Sequence, residues 1–313
     1  MVRAYVGPDE VEAADSGRFG QSGTRGGNVS EQPKPKFGDI DAWGLTHPGQ
    51  VRESNQDHYL VGGLASGVRV ISTSLDQELV GFSFVERVAS IGVVADGVGS
   101  SSGGEHAARV AVEALVREVS KSFHEAEIAE ANDPDVFSRL LQEAALACHE
   151  SLLQRAEQEP TKGSFSTTLT LFLGLWPHAY ILQVGDSRAY IYQQDQLTQI
   201  TRDQTWAQAL IDQGTLSQTK AEASRWANVL SSSIGGQETT PVVTRIERDW
   251  GAVLLFCSDG LNKHVSDDRI EELASQMTSS RQLAEDLLQE ALDGGGTDNI
   301  TIIVGRTIRP TAS

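Results

Sequence analysis

A chain of 313 residues, 39% hydrophobic and 22% charged, has an ordinary globular composition and enough length for a large core. Its 43 acidic against 25 basic residues give a formal net charge of -18, which repels nucleic acid and anionic membranes, since both are bound mainly through Lys and Arg. No segment approaches the roughly 18 consecutive apolar residues of a membrane span.

Residues 1 to 38 are rich in Gly, Ser, Glu and Pro and lack a hydrophobic period. Such a stretch buries too little apolar surface to offset its ordering entropy, so it reads as a disordered leader. It has no apolar h-region of a secretory signal, and a cytoplasmic location is expected. A single domain is expected from 39 to 308.

Strands dominate its first part, at Ala42–Thr46, His58–Gly62, Val68–Ser74, Val80–Val85 and Ile91–Ala95. Two helices follow. The first aligns Ala108, Ala111, Val112, Leu115 and Val119 on one face. The second aligns Phe137, Leu140, Leu141, Ala144, Cys148 and Leu152, and Asp133-Pro134 is its start signal. Strands resume at Thr167–Leu175, Ala179–Val184, Ala189–Gln193 and Leu197–Thr201. A weakly periodic segment from Asp203 to Gly236 comes next, then strands Val242–Glu247 and Val253–Cys257. One closing helix begins at Ser266. The other begins at the capping box Ser279-x-x-Gln282 and ends at Gly294, before a last strand Ile300–Val304. Cys148 and Cys257 sit singly in apolar stretches and read as buried hydrophobes, not as a disulfide or thiolate site. Blocks of strands with helices arriving in pairs argue for an α+β domain of antiparallel sheets with helices outside.

In four places an apolar strand meets an Asp beside a small residue: VVADGVG at Asp96, VGDSR at Asp186, FCSDG at Asp259 and GGTDNITIIV at Asp298. A single Asp-Gly after a strand reads as a turn. Four of them, gathered at one edge of a sheet pair, would form a carboxylate cluster that needs cations, and hard oxygen ligands suit Mg²⁺ or Mn²⁺. The loop Arg52-Glu53-Ser54-Asn55-Gln56-Asp57 is either a solvated ion-paired surface or a phosphate-binding element, with Arg52 offering a planar fork to phosphate oxygens.

In order along the chain, RESNQDHY, VADGVG, SFSTTLTL, VGDSRAYIY, LTQITRDQT, CSDGL and TDNITIIV resemble the metal-dependent serine/threonine protein phosphatases of type 2C, in their bacterial branch. The resemblance runs from about Asp39 to Arg306. It implies a central antiparallel β-sandwich flanked by helix pairs, a four-layer α-β-β-α arrangement. It also implies Mn²⁺ or Mg²⁺ as two ions at one end, bridged by Asp96 and completed by the Gly97 carbonyl, Asp259 and Asp298. A third, weaker ion would lie near Asp186. Arg52 would bind the substrate phosphate and Asp57 would hold a metal-bound water. The implied reaction is hydrolysis of phosphoserine and phosphothreonine by direct attack of a hydroxide shared by the two ions, with Arg52, Asp57 and Asp96 catalytic. Phosphorylated proteins, the substrates of serine/threonine kinases, are the implied partners, and a monomer is expected.

Three positions depart from the family. Gln56 stands where many members have Glu, Val98 where animal members have a His, and Gln204 where a His usually touches the flap formed by 203–236. His58 follows Asp57 directly but, at the start of a strand, reads as a packed or surface residue; His47, His106 and His264 have no ligand spacing, and Trp206 and Trp226 read as local packing.

Overall fold

In a computed structural model, the described residues are 3–5, 34–64, 68–74, 89–99, 102–129, 133, 135–158, 165–222 and 224–309. Two antiparallel sheets face one another. The larger joins β1 (Arg3–Tyr5), β11 (Val242–Glu247), β8 (His178–Val184), β7 (Leu169–Leu175), β5 (Ala89–Val98), β3 (Asp57–Leu64) and β4 (Val68–Thr73) in that order, with β6 (Ser166–Thr167) paired to the end of β5. The smaller runs β10 (Gln196–Gln199), β9 (Arg188–Gln193), β12 (Val253–Cys257), β13 (Ile300–Thr307) and β2 (Ile40–His47).

Three apolar cores make four layers. Alternating side chains of the two sheets meet in the centre, where Tyr59, Val94, Phe172, Ile181, Phe256 and Ile303 are buried. Outside the larger sheet lie α1 (Ser102–Ala129) and α2 (Val136–Gln158), whose expected apolar faces are fully buried in a second core. Outside the smaller sheet lie α6 (Asp267–Ser275) and α7 (Ser280–Asp293), which bury Ile270, Leu283, Leu287 and Ala291. Three short helices, α3 (Trp206–Asp212), α4 (Gln218–Glu222) and α5 (Asp259–Asn262), complete the described elements. The α+β sandwich flanked by helix pairs therefore stands.

Local signals behaved as their chemistry dictates, with small shifts. Ser266 and Ser279 accept the Arg269 and Gln282 amides as N-caps. The Gln282 side chain takes the Thr278 N–H instead of the Ser279 N–H, so the capping box is displaced by one residue. Gly294 caps α7 in a right-handed conformation, and the left-handed turn falls on Gly295 and Gly296. The leader reading is corrected at Arg3–Tyr5, which pair antiparallel with Val243–Arg245. The outer edge of β11 offers unpaired backbone groups, and three extended residues satisfy them whatever their composition. The expected strand Val80–Val85 lies outside the described residues.

Candidate metal centre

Strand register builds the site. β3 and β5 pair so that Asp57 lies opposite Asp96, at the end where both strands leave the sandwich. The two threonines of SFSTT fix the Asp96 backbone. Thr168 Oγ1 accepts the Asp96 N–H at 3.0 Å, the Thr168 N–H donates back to the Asp96 carbonyl, and Thr167 Oγ1 donates to that carbonyl at 2.8 Å. Thr168 also shares a hydrogen bond with Ser187 of the GDSR turn, which carries Asp186. Asp259 opens α5, where β12 ends, and Asp298 precedes β13.

The loop 48–56 is anchored by residues some 240 positions later in the chain. Asn299 accepts the Gln56 N–H and donates to the Pro48 and Ser54 carbonyls, while Gln50 N–H donates to the Gly296 carbonyl at 2.7 Å. Gly49, at φ +79°, packs so tightly here that a Cβ would come within 2.2 Å of the Asp298 carbonyl, so only glycine fits. Gly97 is equally confined, since a Cβ would meet the Gly104 carbonyl at 2.4 Å and push α1 off the strand end. Gly97 N–H donates to the Gln56 carbonyl.

Five carboxylates thereby share one end of the sandwich, and their mutual perturbation shows it. Burial pushes Asp96 well above the usual carboxylate range, reinforced by the charges of Asp57, Asp259, Asp186 and Asp298. Burial raises Asp57 to about 6 against the pull of its hydroxyl partners, and raises Asp186 to about 8 with help from Asp259 and Asp203. Asp259 is raised by burial, although Lys263 opposes this. Asp298 alone is lowered, because hydrogen bonds from Arg52 and Lys263 outweigh its desolvation.

Asp57 is 2% exposed, and its Oδ2 accepts hydrogen bonds from Ser258 Oγ and Thr301 Oγ1, both 2.7 Å. Asp57 Oδ1 and Asp259 Oδ1 are buried without any hydrogen-bond partner. A buried anionic oxygen in that state is costly, and a cation, or a water held by one, is the partner it lacks. Hard oxygen donors, orphaned and mutually repelling, fit Mg²⁺ or Mn²⁺. Two basic side chains nonetheless stand among them. Arg52 grips Asp298 through Nε and Nη2 at 2.7 and 2.8 Å, and Lys263 Nζ lies 2.6 Å from both Asp259 Oδ2 and Asp298 Oδ2. With these cations in place, no group of three His, Cys, Asp or Glu among the described residues is set to hold a metal as it stands.

All seven residues expected at the site thus reach one end of the fold, with Arg52 on Asp298 instead of free for phosphate. Lys263, Asn299, Thr168, Ser258 and Thr301 were not foreseen. The hydroxyls carried a signal, since Ser and Thr inside otherwise apolar strands must find polar partners. His58 is turned to Ser74 Oγ, His264 to Thr297 and His47 to the Gly49 N–H, away from the carboxylates. Gln204 receives the Gly185 N–H at 2.8 Å and donates to the Thr240 carbonyl, tying the Asp186 turn to the segment that closes the flap. Trp206 and Trp226 correct the packing expectation: they are 47% and 38% exposed, because their short segment lies outside all three cores, and Arg225 stacks on Trp226.

Residues 73–294 match the family described as Protein phosphatase 2C. The chain belongs to that family. It is 32% identical over 217 residues to the serine/threonine protein phosphatase PstP of Mycobacterium tuberculosis, covering 69% of this chain but only 40% of that relative's length. It is 29% identical over 214 residues to the serine/threonine phosphatase stp of Listeria innocua, covering 68% of this chain and 82% of the relative. Among solved structures, the catalytic domain of PstP in complex with two manganese ions superposes with a TM-score of 0.63 at 26% identity, covering 86% of this chain and 99% of that one. This family member therefore shares its fold with a domain that holds two Mn²⁺ ions.

Proposed function

We propose that this chain is a metal-dependent phosphatase of phosphoserine and phosphothreonine in proteins. The observation that carries the reading is the convergence of five aspartates, two with orphaned oxygens, beside an exposed arginine. Asp96, Asp259, Asp298 and the Gly97 carbonyl would hold two divalent cations, with Asp186 beside them. Such cations supply Lewis acidity and lower the pKa of a water that can then attack phosphorus.

The chain's own groups do the rest. Arg52, whose side chain is 48% exposed, sits on the rim and can exchange the Asp298 carboxylate for two phosphate oxygens. Asp57 holds its position through Ser258 and Thr301, which leaves Oδ1 to accept a proton from water. Val98 offers no proton to the leaving alkoxide, so solvent supplies it. A cysteinyl phosphoenzyme does not fit, because both thiols are buried and pushed up to about 12.

Phosphorylated substrates of serine/threonine kinases are the partners this reading implies, for a monomeric cytoplasmic enzyme. The deciding experiment is phosphate release from a phosphothreonine peptide, with Mn²⁺ or with EDTA, for wild type and Asp259→Asn. Mn²⁺-dependent release that disappears in the variant supports the reading. A wild type that binds Mn²⁺ and releases nothing would make the chain a phosphoprotein-binding relative without turnover.

A further inference from the structure

The Lys263 ammonium bridges two of the five carboxylates. It lies 2.6 Å from Asp259 Oδ2 and 2.6 Å from Asp298 Oδ2, and its side chain is only 26% exposed. It caps the short α5, four residues after Asp259, so its stem folds back over the residue that opens the helix. The two oxygens it holds belong to the aspartates that would bind a cation. A monovalent ammonium and a divalent cation cannot share them, because like charges so close in a partly buried site repel strongly.

We propose that Lys263 is a tethered counter-cation, which neutralises Asp259 and Asp298 in the metal-free protein and must be displaced before a divalent cation binds there. The inference rests on the metal-dependent reading above and adds a residue that sets metal affinity. The ammonium has somewhere to go. Lys263 also lines a cavity of about 240 Å³ together with Asp186, Asp203 and Asn228, and its charge already acts on Asp186. Swinging the stem away from Asp298 toward Asp186 exchanges one carboxylate partner for another and opens the Asp259–Asp298 pair.

Two consequences follow from mass action. The apparent metal affinity is lowered by the fraction of molecules in which the lysine is in place. The metal-free protein is stabilised by the same contact, because removing it leaves Asp259 without a basic partner and Asp298 with Arg52 alone.

The test is calorimetric titration of Mn²⁺ into EDTA-stripped full-length wild type, Lys263→Met and Lys263→Gln, with melting curves of the metal-free forms. Both variants should bind Mn²⁺ about tenfold more tightly than wild type and melt at lower temperature without metal. On the wild type itself, acetylation of Lys263 read by mass spectrometry should be slow in EDTA and fast in Mg²⁺, a measurement that needs no variant to fold. Unchanged or weaker Mn²⁺ binding in the variants, or acetylation indifferent to Mg²⁺ in a wild type that binds it, overturns the inference alone. A wild type that takes up no Mn²⁺ overturns the metal-dependent reading and the inference together.

Discussion

The same strands build two opposite chemistries at the two ends of the sandwich. Where β5 ends, Asp96 joins four other aspartates whose charges oppose one another. Where β5 begins, Ser90 and Gly92 border an apolar gap between the sheets, lined by Val61, Phe172, Leu254 and Ile303. That end closes with aromatic contacts: Phe172 on Phe256 at 5.7 Å, Trp176 on Trp250 at 5.2 Å, and the 8%-exposed Arg248 stacked 5.2 Å from Phe172. One end contributes stability to the fold, and the other draws on it until cations arrive. A metal centre of this kind can be strained because its scaffold is secured elsewhere.

Breaking the acidic end should cost activity and spare the fold. Asp96→Asn removes the carboxylate that the other four all perturb, and Mn²⁺-dependent phosphate release should fall by roughly a hundredfold or more. The metal-free melting temperature should rise, since the ionisation of a buried carboxylate no longer opposes folding. Breaking the apolar end should do the reverse. Phe172→Ala should destabilise by about 3 kcal/mol in a denaturant titration, with Mn²⁺ affinity unchanged.

pH sharpens the contrast. Asp57 and Asp186 titrate near 6 and 8 in the folded chain, against roughly 3.9 when unfolded. Below pH about 4 both states hold these protons and nothing is lost. As pH rises from there toward about 8, the unfolded chain gives up its protons first, so the folded metal-free protein loses stability. Asp298, whose pKa is lowered, contributes in the opposite sense and only at more acidic pH. Melting temperatures in EDTA should therefore fall between pH 5 and pH 8, and Mn²⁺ should remove most of that fall. An EDTA profile flat over this range would mean that neither burial nor neighbouring charge holds Asp57 and Asp186 above the usual carboxylate range. The smallest effect belongs to Gln204→Ala, which unties the Asp186 turn from Thr240 and should lower stability by about 1 kcal/mol, without abolishing phosphate release.

Much of this was readable in the chain. Helix faces such as Phe137, Leu141, Cys148 and Leu152 appear at their period and are buried as expected, and the Asp residues after apolar strands do meet. Those signals are local, and local physics decides them. What was not readable depends on partners hundreds of residues apart. Thr301 and Ser258 look like ordinary polar substitutions until register sets them on Asp57. Asn299 gives no hint that it fastens Pro48, Ser54 and Gln56. Nothing in the sequence singles out Lys263, and only the fold sets its ammonium on Asp259 and Asp298. The leader strand Arg3–Tyr5 is set by an available sheet edge, not by its own composition.

The anchoring of the loop 48–56 by Asn299, and of Asp57 by Thr301, orders events during synthesis. The first half of the site leaves the ribosome early, but its fasteners lie on and just before the last strand, some 244 positions after Asp57. A nascent chain halted at the end of α7 carries Arg52, Asp57 and Asp96 without Asn299 and Thr301, and lacks Asp298 altogether. Hydrolytic capacity should therefore appear in one step, on release of the completed domain, and prematurely terminated products should be inert toward phosphoproteins.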